Sequence, residues 1–202
     1  MTEQQWDKKL RIQTCGRDDT NADEHNHPYE PTPYAVLERL ADSGYITAEN
    51  TLVDYGCGKG RVGFFMREAV GCKVIGIEHD EHIWSRAKEN LSNAKNGCEI
   101  SFILKKAEEF DCSDADSFYF FNPFTADILH SVLHRIADSY YALPRRMRMF
   151  FYYPHDDYLR LLLTGSNGIS KLIWFLDEID CRDLFDTNDE RERIMIFEIG
   201  DE

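Results

Sequence analysis

The chain contains no Cys-x-x-Cys pair, no long apolar run and no internal repeat, and it is short of positive charge. Each absence removes a class of protein. The six cysteines stand singly, which argues against a zinc site or a disulfide framework and leaves reduced, mostly buried thiols. No stretch of about 18 apolar residues could span a bilayer, and no basic-then-apolar leader opens the chain, so a soluble, cytoplasmic protein is expected. With 23 Lys and Arg against 37 Asp and Glu, the formal net charge is −14. Such a field repels phosphates, so nucleic acid is a disfavoured partner. The one basic cluster, Arg145 to Arg148 (RRMR), reads as arginines left in solvent before a buried strand.

What is present is enough for one domain. The 202 residues are 43% hydrophobic and can bury a full core. Residues 1–28 are polar, and RDDTNADEHNH lacks any apolar period, so they are expected to form a loop or lid on a domain spanning 29–202. From Pro33 onward helical and strand patterns alternate: a helix in PYAVLERLADSGYI, a strand in TLVDYG, a helix in RVGFFMREAV, a strand in KVIGIE, and a helix opening on the cap Asp80. EISFIL, SFYFFN and MRMFFYYP continue the strands, with ADILHSVLHRIADSYYA a helix between the last two. Strands this apolar need both faces covered, which predicts a mostly parallel sheet between helical layers. The last two apolar segments, KLIWFLDEIDCRDLF and RERIMIFEIG, are joined only by a polar turn and predict an antiparallel hairpin.

The informative stretch is LVDYGCGKGRVGFF, residues 52–65. A glycine-rich turn between strand and helix allows close backbone approach to a ligand and aims helix N-terminal N–H groups at it. Two patterns overlie these letters. Starting at Gly58, GKGRVG satisfies the dinucleotide pattern GxGxxG, with Glu78 ending the next strand where a ribose-binding acid is wanted. That register inserts Asp54, Tyr55, Gly56 and Cys57 between strand and fingerprint and leaves the acid without a task. Starting at Asp54, the letters read D-x-G-x-G-x-G, with a carboxylate at the strand end to receive a ligand ammonium, Gly56 and Gly58 clearing space, and Gly60 packing closely as the helix begins.

In this second register the chain resembles the class I S-adenosylmethionine-dependent methyltransferases over roughly residues 29–199. The resemblance implies an α/β three-layer sandwich with strand order 3-2-1-4-5-7-6, S-adenosylmethionine as cofactor, and methyl transfer to an acceptor, an amino group being one candidate. It implies that Asp54, Gly56, Gly58, Gly60 and Glu78 bind the cofactor, Glu78 taking both ribose hydroxyls. After the third strand the family's adenine-binding aspartate is replaced by Lys106, so either Glu108 substitutes or the Ala107 backbone serves alone. Asn122-Pro123-Phe124 is similar to the (Asn/Asp)-Pro-Pro-(Tyr/Phe) motif of amino-group methyltransferases, shorter by one proline, and points to Asn122 and Phe124 at the acceptor; the alternative for Asn122 is an Asx-turn. Tyr29 and Thr32 in YEPTPY are candidate cofactor contacts from an overlying segment, and HNH (25–27) could join that lid. His155, in YYPHDDY with Tyr153, is a candidate base at the same sheet edge, though Asp156 or Asp157 could instead cap a helix there. His130 and His134 are four apart on a helix but have no third ligand, so no metal is expected. The acceptor implied is a small molecule or a basic protein. Two rivals keep part of the pattern: an NAD(P)-dependent oxidoreductase, and a non-catalytic module that only binds S-adenosylmethionine.

Overall fold

A computed structural model describes residues 1–17, 29–164 and 171–200. Seven strands form one sheet: β1 (Thr51–Tyr55), β2 (Lys73–Glu78), β3 (Ile100–Leu104), β4 (Ser117–Phe120), β5 (Met147–Tyr152), β6 (Ile173–Asp180) and β7 (Arg193–Ile199). Their order is β3-β2-β1-β4-β5-β7-β6, as expected; β7 runs antiparallel to both β5 and β6 while the other pairs are parallel. The helices are α1 (Glu3–Leu10), α2 (Tyr34–Asp42), α3 (Arg61–Ala69), α4 (Glu81–Asn93), α5 (Ala126–Ala142) and α6 (Asp156–Leu163).

Alternating side chains feed two cores. Leu52, Tyr119, Phe150 and Ile196 face α1, α2 and α3, whereas Val53, Phe118, Phe151 and Phe197 face α5 and α6. The central strands are hydrophobic on both faces because both are covered. Parallel β1, β2, β4 and β5 all end at one edge of the sheet. Ligands of open α/β sheets bind at that edge, and the candidate residues collect there.

The expectation of a loop over residues 1–28 fails for the part described. Thr2 and Gln5 form a reciprocal capping box that starts α1, and Arg11 closes it in the left-handed conformation. Trp6, Leu10 and Ile12 are buried against Tyr34 and Phe65. A few apolar anchors suffice to dock a short helix whose other face is charged, and a mean composition hides them. Residues 18–28, including HNH, lie outside the described residues.

The RRMR cluster departs from expectation in part. Arg145 turns inward and donates to the carbonyls of Cys112, Ala115, Ser139 and Leu143. Arg148 pairs with Glu198 at 3.1 Å, and Arg146 with the same carboxylate at 3.8 Å. Arg145 and Arg148 thus fasten the start of β5, while Arg146, its side chain 72% exposed, stays in solvent as expected. No helix among the described residues is long and apolar enough to cross a membrane.

Candidate functional site

The turn between β1 and α3 is held in shape by its own backbone. The Gly56 and Cys57 N–H groups both donate to the Ile77 carbonyl (2.9 and 3.0 Å), Gly60 N–H donates to the Cys57 carbonyl (2.9 Å), and Gly58 N–H donates to Glu78 Oε2 (3.1 Å). The expectation that this turn aims its amides at a ligand is therefore corrected, since four of them are committed to the protein. A pyrophosphate would find little there to bind, which disfavours the dinucleotide reading. Gly63, the fourth glycine, packs on the sheet, where a Cβ would lie 3.3 Å from Val74 Cγ1. Its place in a GxGxxG pattern has that packing cause.

Gly56 and Gly58 sit at φ +72° and +56°, in the region where side chains are strained. A Cβ on Gly56 would overlap the Pro123 ring, and one on Gly58 would overlap the ring of Tyr29. The space these glycines leave is thus occupied by protein, which refines the idea that they make room only for ligand. They let Pro123 and Tyr29 close the walls of a cavity.

That cavity, about 590 Å³, is the convergence point of most candidate residues. Asp54, Gly56, Gly58 and Glu78 form its floor from β1, the turn and β2. Ala107 and Glu108 line it from a 3-10 turn (Ala107–Glu109) after β3, as do Tyr29 and Thr32 from the segment before α2, and Asn122 and Phe124 after β4. Gly60 does not line it. It serves as the N-cap of α3 at φ +90°, against the Phe102 ring.

The electrostatics are unusual for so polar a floor. Asp54 is 3% exposed, and its Oδ2 has no hydrogen-bond partner. Burial, with the nearby Glu78 charge as a smaller cause, pushes the Asp54 carboxyl up to about 8. A buried carboxyl left unsatisfied calls for a cationic or donating ligand. Glu78, 7% exposed, is instead well held: Oε1 accepts from the N–H groups of His79 (2.8 Å) and Asp80 (2.9 Å), and Oε2 from Gly58. The floor therefore offers one orphaned acid beside one fixed acid. An amino-acid ammonium fits the first and a ribose diol the second, so these residues suit the cofactor that the sequence implied.

A pH dependence follows. A buried carboxyl whose folded pKa is raised binds its proton more tightly in the native state, so its contribution to stability is full below about 4 and is lost as pH rises to about 8. Asp54→Asn should flatten this decline and stabilise the ligand-free chain at pH 8 by on the order of 2–5 kcal/mol, measured by urea unfolding at pH 5 and 8. A ligand ammonium selects the ionised form, so affinity should rise with pH towards 8. Calorimetry at pH 6.5 in buffers of different ionisation enthalpy should register release of nearly one proton. No proton release, with an unchanged slope in Asp54→Asn, would refute this assignment.

Asn122 bridges two chain ends. At φ +41° it donates from Nδ2 to the Tyr153 carbonyl (2.6 Å) and accepts at Oδ1 from His155 N–H (3.1 Å). It therefore ties β4 to β5, and the side chain does not make the Asx-turn contact considered from sequence. Phe124 is 4% exposed, packs edge-on against Tyr55 and Phe120, and also lines the cavity. His155 does not reach the first cavity. It is exposed, precedes α6 as its N-cap without a side-chain cap bond, and lines a second, adjoining cavity together with Tyr153. Asp156 and Asp157 lie in the first turn of α6, where the helix dipole favours them, and neither is the N-cap. His130 and His134 meet ring to ring at 4.6 Å, and among the described residues no group of three metal-ligating side chains occurs.

Three residues were missed by sequence reasoning. Arg61, 3% exposed, lines the cavity and gathers Thr14, Cys15, Thr32 and Glu3 around its guanidinium. Tyr119 lies beneath Thr32, the two hydroxyls 3.0 Å apart. Thr125 carries a buried Oγ1 with no partner in the wall after Phe124. Only Thr125 had a local signal, its position directly behind Asn-Pro-Phe.

A family model described as a methyltransferase domain matches residues 46–148, just over half of the chain. A curated protein-lysine N-methyltransferase of Saccharolobus islandicus is 32% identical over 97 residues, covering 44% of this chain and 55% of the relative. The match thus spans about half the length of that relative. Among solved structures, an RNA methyltransferase of Salinibacter ruber in complex with S-adenosyl-L-homocysteine superposes with a TM-score of 0.54 at 18% identity, over 86% of this chain and 95% of that one. A SAM-dependent O-methyltransferase of Thermotoga maritima gives 0.62 at 17% identity, over 86% and 67%. The acidic strand end, the D-x-G-x-G-x-G turn, the sheet order and the family match agree: this chain belongs to the methyltransferase-domain family, with the Rossmann-like fold of the class I S-adenosylmethionine-dependent enzymes.

Proposed function

We propose that this chain is a cytoplasmic enzyme that transfers a methyl group from S-adenosylmethionine to an amino group, borne by a basic protein or a small amine. The observation that carries the reading is the pairing of an orphaned Asp54 carboxyl with the fixed Glu78 carboxylate on one cavity floor, directly beside Asn122. When bound, the cofactor supplies a methyl carbon on a sulfonium, open to in-line displacement by a nucleophile about 3 Å away. The chain's own residues do the positioning. Asp54 receives the ammonium, Glu78 the ribose hydroxyls, and Ala107 with Glu108 borders the adenine. Tyr29 and Thr32 cover the cavity and keep water out. Asn122 and Phe124 form the wall against which the acceptor is set. The net charge of −14 favours a cationic acceptor over a polyanion. The amino-group choice is further supported by the curated relative, a protein-lysine N-methyltransferase.

Calorimetric titration with S-adenosylhomocysteine should give micromolar binding, and labelled S-adenosylmethionine should transfer radioactivity to basic proteins but not to the same proteins with their lysines chemically blocked. Absence of homocysteine-ligand binding would sink the cofactor assignment. Transfer undiminished by lysine blocking would sink the acceptor.

A further inference from the structure

Beside the cofactor cavity lies a second one of about 630 Å³. The two share Glu30, Pro31, Phe121 and Asn122, so a side chain entering the second would end against the wall of the first. Its other walls include Tyr152 and Tyr153 at the end of β5 and Phe185 and Glu192 from the segment between β6 and β7.

These walls are aromatic and acidic. The Phe121 and Tyr152 rings lie 4.7 Å apart, and Phe185, 39% exposed, is a large apolar side chain left open to solvent. Glu192 accepts the Tyr152 hydroxyl at 2.8 Å, and Glu30 faces Arg17 at 3.7 Å. Arg191 covers one face of the Tyr153 ring at 4.6 Å and is itself held by Asp189, which also accepts the Tyr153 hydroxyl. Among the described residues that line the cavity, two carboxylates (Glu30, Glu192) thus stand against one guanidinium (Arg17), with His155 beside them.

We infer that this second cavity is the acceptor site and that it admits a lysine side chain presented by a basic protein segment. The inference rests on the methyltransferase reading above and names its substrate class. Aromatic walls accommodate a chain of methylenes and attract the cationic head that ends it. The excess of carboxylates at the mouth, within a strongly negative chain, draws in basic segments and turns away phosphates. The wall shared at Asn122 brings the end of such a side chain to the cofactor cavity.

The test uses the full chain, alone and saturated with S-adenosylhomocysteine. A nine-residue peptide with one central lysine and its norleucine counterpart are titrated by calorimetry and by NMR of the labelled aromatic rings. The lysine peptide should bind about tenfold more tightly than the norleucine peptide and shift the Phe121, Tyr152 and Phe185 resonances. Glu192→Gln should weaken it about fivefold while leaving S-adenosylhomocysteine affinity and the melting temperature unchanged, and Glu30→Gln, whose side chain also lines the cofactor cavity, should weaken the peptide about fivefold as well. Equal affinity for the norleucine peptide would overturn the inference. So would indifference to both substitutions in chains that still bind S-adenosylhomocysteine, or displacement of the peptide by a single-stranded RNA oligonucleotide whose own binding those substitutions weaken. Failure of the parent chain to bind S-adenosylhomocysteine is a separate result. It overturns the methyltransferase reading, and the acceptor role with it, whatever the peptide does.

Discussion

Replacing Glu78 with alanine should weaken S-adenosylhomocysteine binding by roughly 100-fold or more. A carboxylate that accepts two ribose hydroxyls contributes about 1.5–3 kcal/mol for each charged hydrogen bond, and each 1.4 kcal/mol is a factor of ten. The same side chain is also the acceptor for the amides of Gly58, His79 and Asp80, so its loss loosens the glycine turn as well. The two effects separate experimentally. Urea unfolding of the ligand-free variant reports the lost amide acceptors, about 2–4 kcal/mol for three buried N–H groups that water reaches only in part. A ligand lacking both ribose hydroxyls reports the rest, because Glu78→Ala should cost it far less affinity than it costs S-adenosylhomocysteine. Removing the Glu78 charge also removes one of the two causes that raise the Asp54 pKa, so the pH at which affinity levels off should move downward from about 8. A variant whose affinity stays within threefold of the parent would remove Glu78 from the cofactor site.

Arg61→Met should be a strongly destabilising change at the site, by about 3–5 kcal/mol, because it takes the donor from the Thr14 hydroxyl, the Thr32 carbonyl and Glu3 and removes the cation beside the buried Asp7. Asp7 is 7% exposed and holds Thr14 Oγ1 at 2.6 Å, Thr14 N–H at 2.6 Å and the Tyr34 hydroxyl at 2.6 Å, with Arg61 Nη2 4.0 Å away. Burial pushes the Asp7 carboxyl up, but the hydrogen bonds from Thr14 and Tyr34, aided by Arg61, outweigh it and hold it below its ordinary value. A depressed acid of this kind contributes stability that is present above its unfolded pKa and is lost as pH falls through the lower folded one. For a chain of this length the Arg61→Met loss corresponds to a fall in melting temperature of about 6–20 °C at neutral pH. Arg61 also donates to the Thr32 carbonyl at 3.1 Å and stacks on the Tyr34 ring at 4.3 Å, so it joins the start of α3 to the segment that roofs the cavity. Cofactor affinity should therefore fall along with stability. Adding Asp7→Asn to Arg61→Met should lower stability further, because each Asp7 oxygen accepts from two donors and an amide nitrogen accepts from none. A variant within 1 kcal/mol of the parent would show that the N-terminal helix is held by Trp6 and Leu10 alone.

The two predictions divide along a line that the sequence itself draws. Glu78 and Asp54 were legible because each ends an apolar strand at a fixed offset from a glycine turn, and strand, turn and helix are local patterns. The terminal hairpin, the Asp80 cap of α4 and the helix start at Pro33 were legible for the same reason, whereas the sheet order followed from the family resemblance and the Thr125 cap of α5 was not foreseen. Apolar period and turn chemistry are set by residues a few positions apart. Arg61 was not legible. An arginine at a helix start is normally a solvated charge, and its burial needs α1, Thr14 and Thr32 to converge from 29 to 58 positions away. The amides of the glycine turn looked available for a ligand until the Ile77 carbonyl and the Glu78 carboxylate took them. The second cavity had no local sign at all, since its walls run from Arg17 to Glu192. The sequence by itself thus determined the layered sheet, the acidic strand ends and the family. The tertiary structure alone decided which charges are buried, which backbone donors are spent and where a second ligand can enter, because burial and hydrogen bonding depend on neighbours brought together by folding, and these are seldom neighbours in the chain.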